Sequence, residues 1–466
     1  MRRIPAMLLI LGIVGANAAI AQNPPSKLVT QAVDVTQFTK LPGNVHPLAQ
    51  KKYDRGAVAD SFAADRVLLL LNRTPERELE LQEFLEQTHQ RGSGAYHKWL
   101  TPQEFGERFG PADSDIQAAA NWLSEQGFRI ARVGKGKQFI EFSGTAGQLR
   151  KAFHTEIHQY NVAGRVHYAN ATELSIPAAL ASLMRGISPL HDFRAKPFSH
   201  VAGQAIYSRA NHRAVPFWTI TNPFGTANPY AFPLAPEDFA TQYDLEPLYQ
   251  AGIDGTGQTI GIINESNIDV SLVNAYRQLF GLTNNPTQVV IDGTDPGTID
   301  GPDLEAYLDV EVSGSVAPKA IVNLYISDGG NLQDPISLAA IRAVEDNQAS
   351  VLSVSFGSCE QFLGNSGNQF WAALWEQAAA QGQTVLVASG DTGPLCSFAI
   401  PTPAVSGLAA TPWNVAVGGT DFYYSDYATG GESATTLWSG TNDSSEGSLK
   451  ALPFPSRFGT IRLALM

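Results

Sequence analysis

The sequence predicts an α/β protein in which a doubly wound parallel sheet follows a smaller α+β domain. Three observations carry this. The chain has 466 residues, too many for one domain of about 100–200 residues. Its C-terminal half alternates short β-rich apolar runs with helix-like segments, the pattern of buried parallel strands joined by crossover helices. Its N-terminal half mixes strands and helices without that alternation, which suits an α+β unit with its core at about 50–192.

Taken in order, the elements begin with a leader. Arg2 and Arg3 precede an apolar run over residues 4–16, and Ala19-Ile20-Ala21 supplies a small-x-small cleavage site. This reads as a signal peptide over 1–21, since the run is shorter than the roughly 20 residues a membrane span needs. The mature protein is then expected to be exported, extracellular or periplasmic, with no membrane segment.

Arg66-Val67-Leu68-Leu69-Leu70-Leu71 reads as a buried strand. Thr74-Pro75 starts a helix whose apolar stripe is Leu79, Leu81, Phe84 and Leu85. Thr101-Pro102 starts a second helix that turns Phe105 and Phe109 inward. A third runs over 113–126 and stops at Gly127. Strands are expected around 128–133 and 138–143, a helix near 146–153 and a strand at 156–160. Residues 193–233 scatter Pro, Asn and aromatic residues without periodicity and read as a linker. Strands then fall at 259–264, 320–326, 351–356, 384–389 and 415–418. Helices are expected near 270–280, 303–314, 335–346 and 369–381. The domain reading is a leader over 1–21, an N-terminal domain over 22–192, a linker over 193–233 and a C-terminal domain over 234–466.

Charge divides the chain the same way. Residues 1–233 carry a net +7 and residues 234–466 a net −20, giving −13 overall. An acidic protein lacks the basic face of a general nucleic-acid binder. All nine histidines precede residue 234, so the C-terminal domain holds neither a Ser-His-Asp triad nor a histidine-ligated metal site of its own. The two cysteines, Cys359 and Cys396, are expected to form a disulfide in an oxidising compartment, the alternative being two buried thiols.

Ligands of open parallel sheets bind outside the carboxyl ends of the strands. Glu305 and Asp309 lie four apart on one predicted helix and share a face. Asp391 follows a buried strand in Ala388-Ser389-Gly390-Asp391. Taken alone, the first two read as a solvated acidic face and the third as a turn cap. A phosphate loop is excluded, because no lysine follows these glycines.

Together with neighbouring words these residues resemble the sedolisin family of serine-carboxyl peptidases, the kumamolisin group, in precursor form. The N-terminal half matches at Tyr96-His97-Lys98-Trp99-Leu100-Thr101-Pro102, Phe105, Phe109-Gly110-Pro111, Trp122-Leu123, Gly127-Phe128 and Phe142-Ser143-Gly144. The C-terminal half matches at Gly255-Thr256-Gly257-Gln258-Thr259-Ile260, Glu305-Ala306-Tyr307-Leu308-Asp309, Ser353-Val354-Ser355-Phe356-Gly357, Ala388-Ser389-Gly390-Asp391 and Ala416-Val417-Gly418-Gly419-Thr420.

The resemblance implies a pro-kumamolisin-type activation domain that inhibits and chaperones a subtilisin-like catalytic domain acting on polypeptides in acid. By motif, Glu305 is the general base, Asp309 shares charge with it, and a protonated Asp391 donates to the oxyanion. Ser355 and Gly357 line the substrate cleft. The chemistry is coherent: carboxyls set side by side raise one another's pKa, and a neutral carboxylic acid donates a hydrogen bond where negative charge develops. The family's nucleophile stands in a Gly-Thr-Ser context ahead of a calcium loop. Here Gly419-Thr420 runs into Asp421, Ser439-Gly440-Thr441 runs into Asn442, and after about Lys450 the family words stop. The expectation is a C-terminally truncated chain, inactive as it stands, with no cofactor of its own and without the calcium of full-length relatives. The alternative reading is a non-catalytic secreted protein that binds peptides or inhibits a relative through its prodomain.

Overall fold

The computed structural model describes residues 26–187, 190–197, 199, 235–283, 285–391, 395 and 403–418, with the backbone of six short strands among 205–228, 421–423 and 450–452. The signal segment, most of the linker, Cys396 and the Ser439 segment lie outside the described residues.

The N-terminal domain is built on a four-stranded antiparallel sheet. The sheet and the helices on it are, in chain order, β1 (Ala63–Leu71), α1 (Pro75–His89), α2 (Pro102–Phe109), α3 (Asp113–Glu125), β2 (Arg129–Val133), β3 (Phe139–Thr145), α4 (Ala146–Phe153) and β4 (Met184–Ile187), with sheet order β2-β3-β1-β4; five further strands, Ile157–Val162 among them, form two small sheets. Thr74, Thr101 and Thr145 cap α1, α2 and α4 with their side chains, each satisfying an orphan amide of the first turn. Glu104 and Gln148 complete capping boxes at the last two,.

The run Val67–Leu71 is continuously apolar because both faces of β1 are covered. Val67, Leu69 and Leu71 pack with Trp122, Leu123, Leu149 and Phe153 of α3 and α4. Leu68 and Leu70 join a separate cluster formed mostly by the C-terminal domain. One strand therefore serves two cores.

Leu79 corrects the expected stripe. It is 66% exposed, while α1 buries Arg77, Leu81, Phe84, Leu85 and Thr88. Residue 79 lies two positions from Leu81, about 200° around the helix, so it faces water. Phe105 and Phe109 are both fully buried.

The C-terminal domain is a six-stranded, wholly parallel sheet. After β5 (Lys196–Pro197) its elements are β6 (Thr259–Ile263), α5 (Val270–Leu279), β7 (Thr287–Asp292), α6 (Pro302–Val316), β8 (Ile321–Ser327), α7 (Pro335–Asp346), β9 (Val351–Val354), β10 (Phe356–Gly357), α8 (Glu360–Ala380), β11 (Thr384–Ala388) and β12 (Val415–Val417). The sheet order is β7-β8-β6-β9-β11-β12. Helices α5 and α6 cover one face through Ile262, Val273, Ala306, Val310 and Leu324. Helices α7 and α8 cover the other through Ile263, Ile341, Val354, Trp371 and Val387. The order reverses between β6 and β9, so the crevice of a doubly wound sheet opens beyond their carboxyl ends.

Strand β7 was not expected from the sequence. Helix α8 begins nine residues before the predicted start and is bent at Gly364, whose φ of 63° and ψ of −170° are non-helical.

The domains meet over buried polar contacts as well as apolar ones. Arg66, itself at φ 57° beside a register shift of β1, reaches Asp292 at 2.5 Å and Ser327 at 2.8 Å. Such a bulge re-aims a side chain. Arg73 pairs with Glu376 at 2.9 Å and Arg132 with Glu345 at 2.5 Å.

Candidate active site

The site grows from the start of α6. Gly301, at φ 97°, leads into Pro302 at the first helical turn, a pre-set φ that needs no amide partner. That start brings Glu305 and Asp309 onto one face of α6, four residues and about one turn apart. Glu305 is fully buried and Asp309 is 8% exposed. An exposed acidic face is therefore ruled out.

Ser355 follows β9 at its carboxyl end and is buried. Its Oγ donates to Asp309 Oδ1 at 2.9 Å. This fixes Asp309 at the carboxyl end of β9. Gly357, in β10, pairs antiparallel with Lys196 of β5, and Phe356 with Pro197. Two residues further on, the Ser199 amide donates to Glu305 Oε2 at 2.7 Å. The strand read from sequence as the peptide-binding edge thus carries an extended segment of the chain itself.

Asp391 is half-buried and lies three residues beyond β11, after Gly390. Gly390 has φ 115°, a conformation that favours glycine. Strands β9 and β11 are neighbours in register, Val354 opposite Val387, so Asp391 stands on the same carboxyl edge as Ser355, one strand across. All five expected residues are at one edge of the sheet, and Asp309 and Ser355 are in direct contact.

Two groups near this edge were not read from the sequence. Ser199 lies 106 residues from its partner, in a stretch without periodicity. Glu265 is buried just past β6 in Asn264-Glu265-Ser266. Burial, then the Asp334 charge, pushes its carboxyl up to about 7, with Arg194 of the linker opposing. A carboxyl directly after a buried strand was the available signal. Among the described residues, no three His, Cys, Asp or Glu side chains gather as a metal ion would need. No helix among them is long and apolar enough to cross a membrane.

A family profile described as the pro-kumamolisin activation domain matches residues 52–193, and one described as the subtilase family matches residues 293–451. Xanthomonalisin of Xanthomonas sp. strain T-22 is 30% identical over 478 residues, covering 91% of this chain and 54% of that protein. Sedolisin of Pseudomonas sp. strain 101 is 28% identical over 386 residues, covering 79% of this chain and 61% of that protein. The solved Pseudomonas sedolisin, a serine-carboxyl proteinase complexed with two molecules of pseudo-iodotyrostatin, is 28% identical over 42% of this chain and 56% of its own, with a TM-score of 0.36. The chain spans between half and two thirds of the length of these curated relatives. It belongs to the sedolisin family, with an activation domain ahead of a subtilisin-like peptidase domain.

Proposed function

We propose that this protein is the exported precursor of an acid-acting endopeptidase, held inactive by its own activation domain and linker. The observation that carries the reading is the linker's pose. Lys196–Pro197 pairs with the cleft strand Phe356–Gly357 while the next residues bring a backbone amide to Glu305. Strand addition to an exposed edge is a general way to hold an extended peptide, with main-chain bonds supplying affinity. The linker therefore occupies the groove as a substrate would, and the Ser199 amide takes the oxygen through which Glu305 would accept a proton.

In this reading Glu305 is the general base, Asp309 shares its charge and is held by Ser355, and a protonated Asp391 stabilises the oxyanion. Neutral carboxyls at such positions require acid, which suits an exported enzyme. Export also supports a Cys359–Cys396 disulfide; no described cysteine is a free thiol. The 466 residues contain no serine in the family's Gly-Thr-Ser context. A polypeptide of these residues is therefore expected to cut no peptide, because loss of a nucleophile costs on the order of 10⁶ in turnover.

The test has two parts. A polypeptide of residues 1–466 should show no turnover of acid-denatured protein above its Glu305→Ala variant. The transcript is then sequenced through and beyond the codons for 445–466, and whatever it encodes is assayed in acid. Turnover abolished by Glu305→Ala and strongly reduced by Asp391→Asn supports the peptidase. A stable secreted product that holds peptides uncut supports the peptide-binding alternative.

A further inference from the structure

A second titratable cluster lies where the N-terminal arm of the activation domain meets the bend of α8. The His46 ring is stacked on Phe193 at 3.9 Å and 3°. It meets His191 edge-on at 4.7 Å and Phe362 of α8 at 5.0 Å. Phe193 presents its ring to His167 as well, at 4.2 Å. His46 and His191 are 2% and 7% exposed.

Hydrogen bonding fixes how these rings carry protons. His46 Nδ1 accepts from the Leu48 amide at 3.2 Å, so its one proton sits on Nε2, which is buried without a partner, as is His191 Nδ1. The acidic groups nearby are engaged elsewhere. Asp192 holds His167 at 3.1 Å and the Tyr168 amide at 2.8 Å, and Glu173 takes the Gly43 and Asn44 amides. The α8 side of the small cavity offers Phe362, Leu363, Gly364 and Ser366, none of them charged. A second proton on either ring would be a buried cation next to another histidine with no acceptor.

The same arm clamps the bend of α8. The Asn365 amide donates to Gly43 O at 3.1 Å, Ser366 Oγ meets Asn44 Oδ1 at 2.5 Å, and a side chain at Gly364 would strike Gly43 O. The bend and the arm fit only together.

We propose that His46 and His191 form an acid-released latch, which holds the arm at Gly43–Leu48 on the bend of α8 while neutral and expels it when protonated. The device deepens the precursor reading above and rests on it for its purpose, though not for its measurement. Burial, then the neighbouring histidines, holds the His46 ring down to about 2, and burial holds the His191 ring to about 4 with the Asp192 charge opposing. For a base held below its ordinary value of about 6.5, the closed state is fully favoured above that value and loses ground as pH falls below it.

The experiment is peptide-resolved hydrogen exchange on the full chain from pH 7 to pH 4.5, corrected for intrinsic exchange. Protection of the segment holding Asn365 should fall at least about tenfold in the parent and less than about threefold in a His46→Phe/His191→Phe variant. Unchanged protection in the parent, or an equal fall in the variant, overturns the latch. Should the variant not fold, ring titration of the parent decides. Both rings titrating near their ordinary value while Asn365 stays protected overturns the proposal, and protonation coincident with loss of protection supports it. None of these readouts uses turnover, so failure of the peptidase reading and failure of the latch are seen separately.

Discussion

Glu265 and Glu311 are buried carboxyls that favour acid. Glu265 is pushed up to about 7 by burial and then by Asp334, and Glu311 to about 8 by burial alone. An acid raised in the folded state contributes stability that is fully present below its ordinary value of about 4.5. That stability is lost as pH rises through the folded value. The differences correspond to about 3 kcal/mol for Glu265 and about 5 kcal/mol for Glu311. Glu265→Gln and Glu311→Gln should therefore raise the urea midpoint at pH 8 and leave it nearly unchanged at pH 4. A variant that gains nothing at pH 8 would show that its carboxyl is hydrated or paired in the folded protein. Legibility at this scale was uneven. The family words named Glu305, Asp309 and Asp391, and no local pattern marks Ser199, whose part depends on chain folding back over 106 residues.

Strand β1 shows how an element can be read correctly and still hide its meaning. Its unbroken apolar run announced a strand covered on both faces, but not that one cover belongs to another domain. The two faces predict two phenotypes. Leu69→Ala and Leu70→Ala each remove a buried side chain and should each cost about 2–5 kcal/mol. Leu69 belongs to the core with α3 and α4, so its loss should raise hydrogen exchange throughout α3. Leu70 packs with Ile341, Phe370 and Leu374 at the domain seam, so its loss should leave exchange in α3 at the parent rate. Equal exchange in α3 for both variants would mean that the two cores unfold as one. The misread elements have equally local causes. Leu79 is apolar but on the wrong side of α1, and β7 is a half-exposed edge strand with little more than Val289-Val290-Ile291 to announce it. The first turns of α8 are faint in the sequence because Gly364, Asn365 and Gly367 suppress helix propensity there.

Across the whole molecule, acid pulls the two halves in opposite directions. The C-terminal half carries Glu265 and Glu311, which prefer their protonated forms, while the seam carries His46 and His191, which prefer neutrality. The formal charges of +7 and −20 suggest a second way to hold the halves together, by long-range attraction. The seam argues for a short-range one. Arg73 and Glu376 are 5% and 7% exposed at their side chains, and buried pairs are screened far less than surface ones. Burial lifts the Glu345 and Glu376 carboxyls, their paired arginines pulling the other way, so these two oppose release in acid. Those carboxyls act from their raised values down to the ordinary value of about 4.5 and the histidines from about 6.5 downward, so the two sets compete above about pH 4.5 and below it the histidines act alone. The expected outcome, read by small-angle scattering of the full chain, is a compact precursor at pH 7 in both about 50 mM and about 500 mM salt. It should expand as pH falls below about 4.5 at either salt concentration. Expansion driven by salt at pH 7 would instead make surface charge the fastening, and the buried arginine pairs bystanders to it.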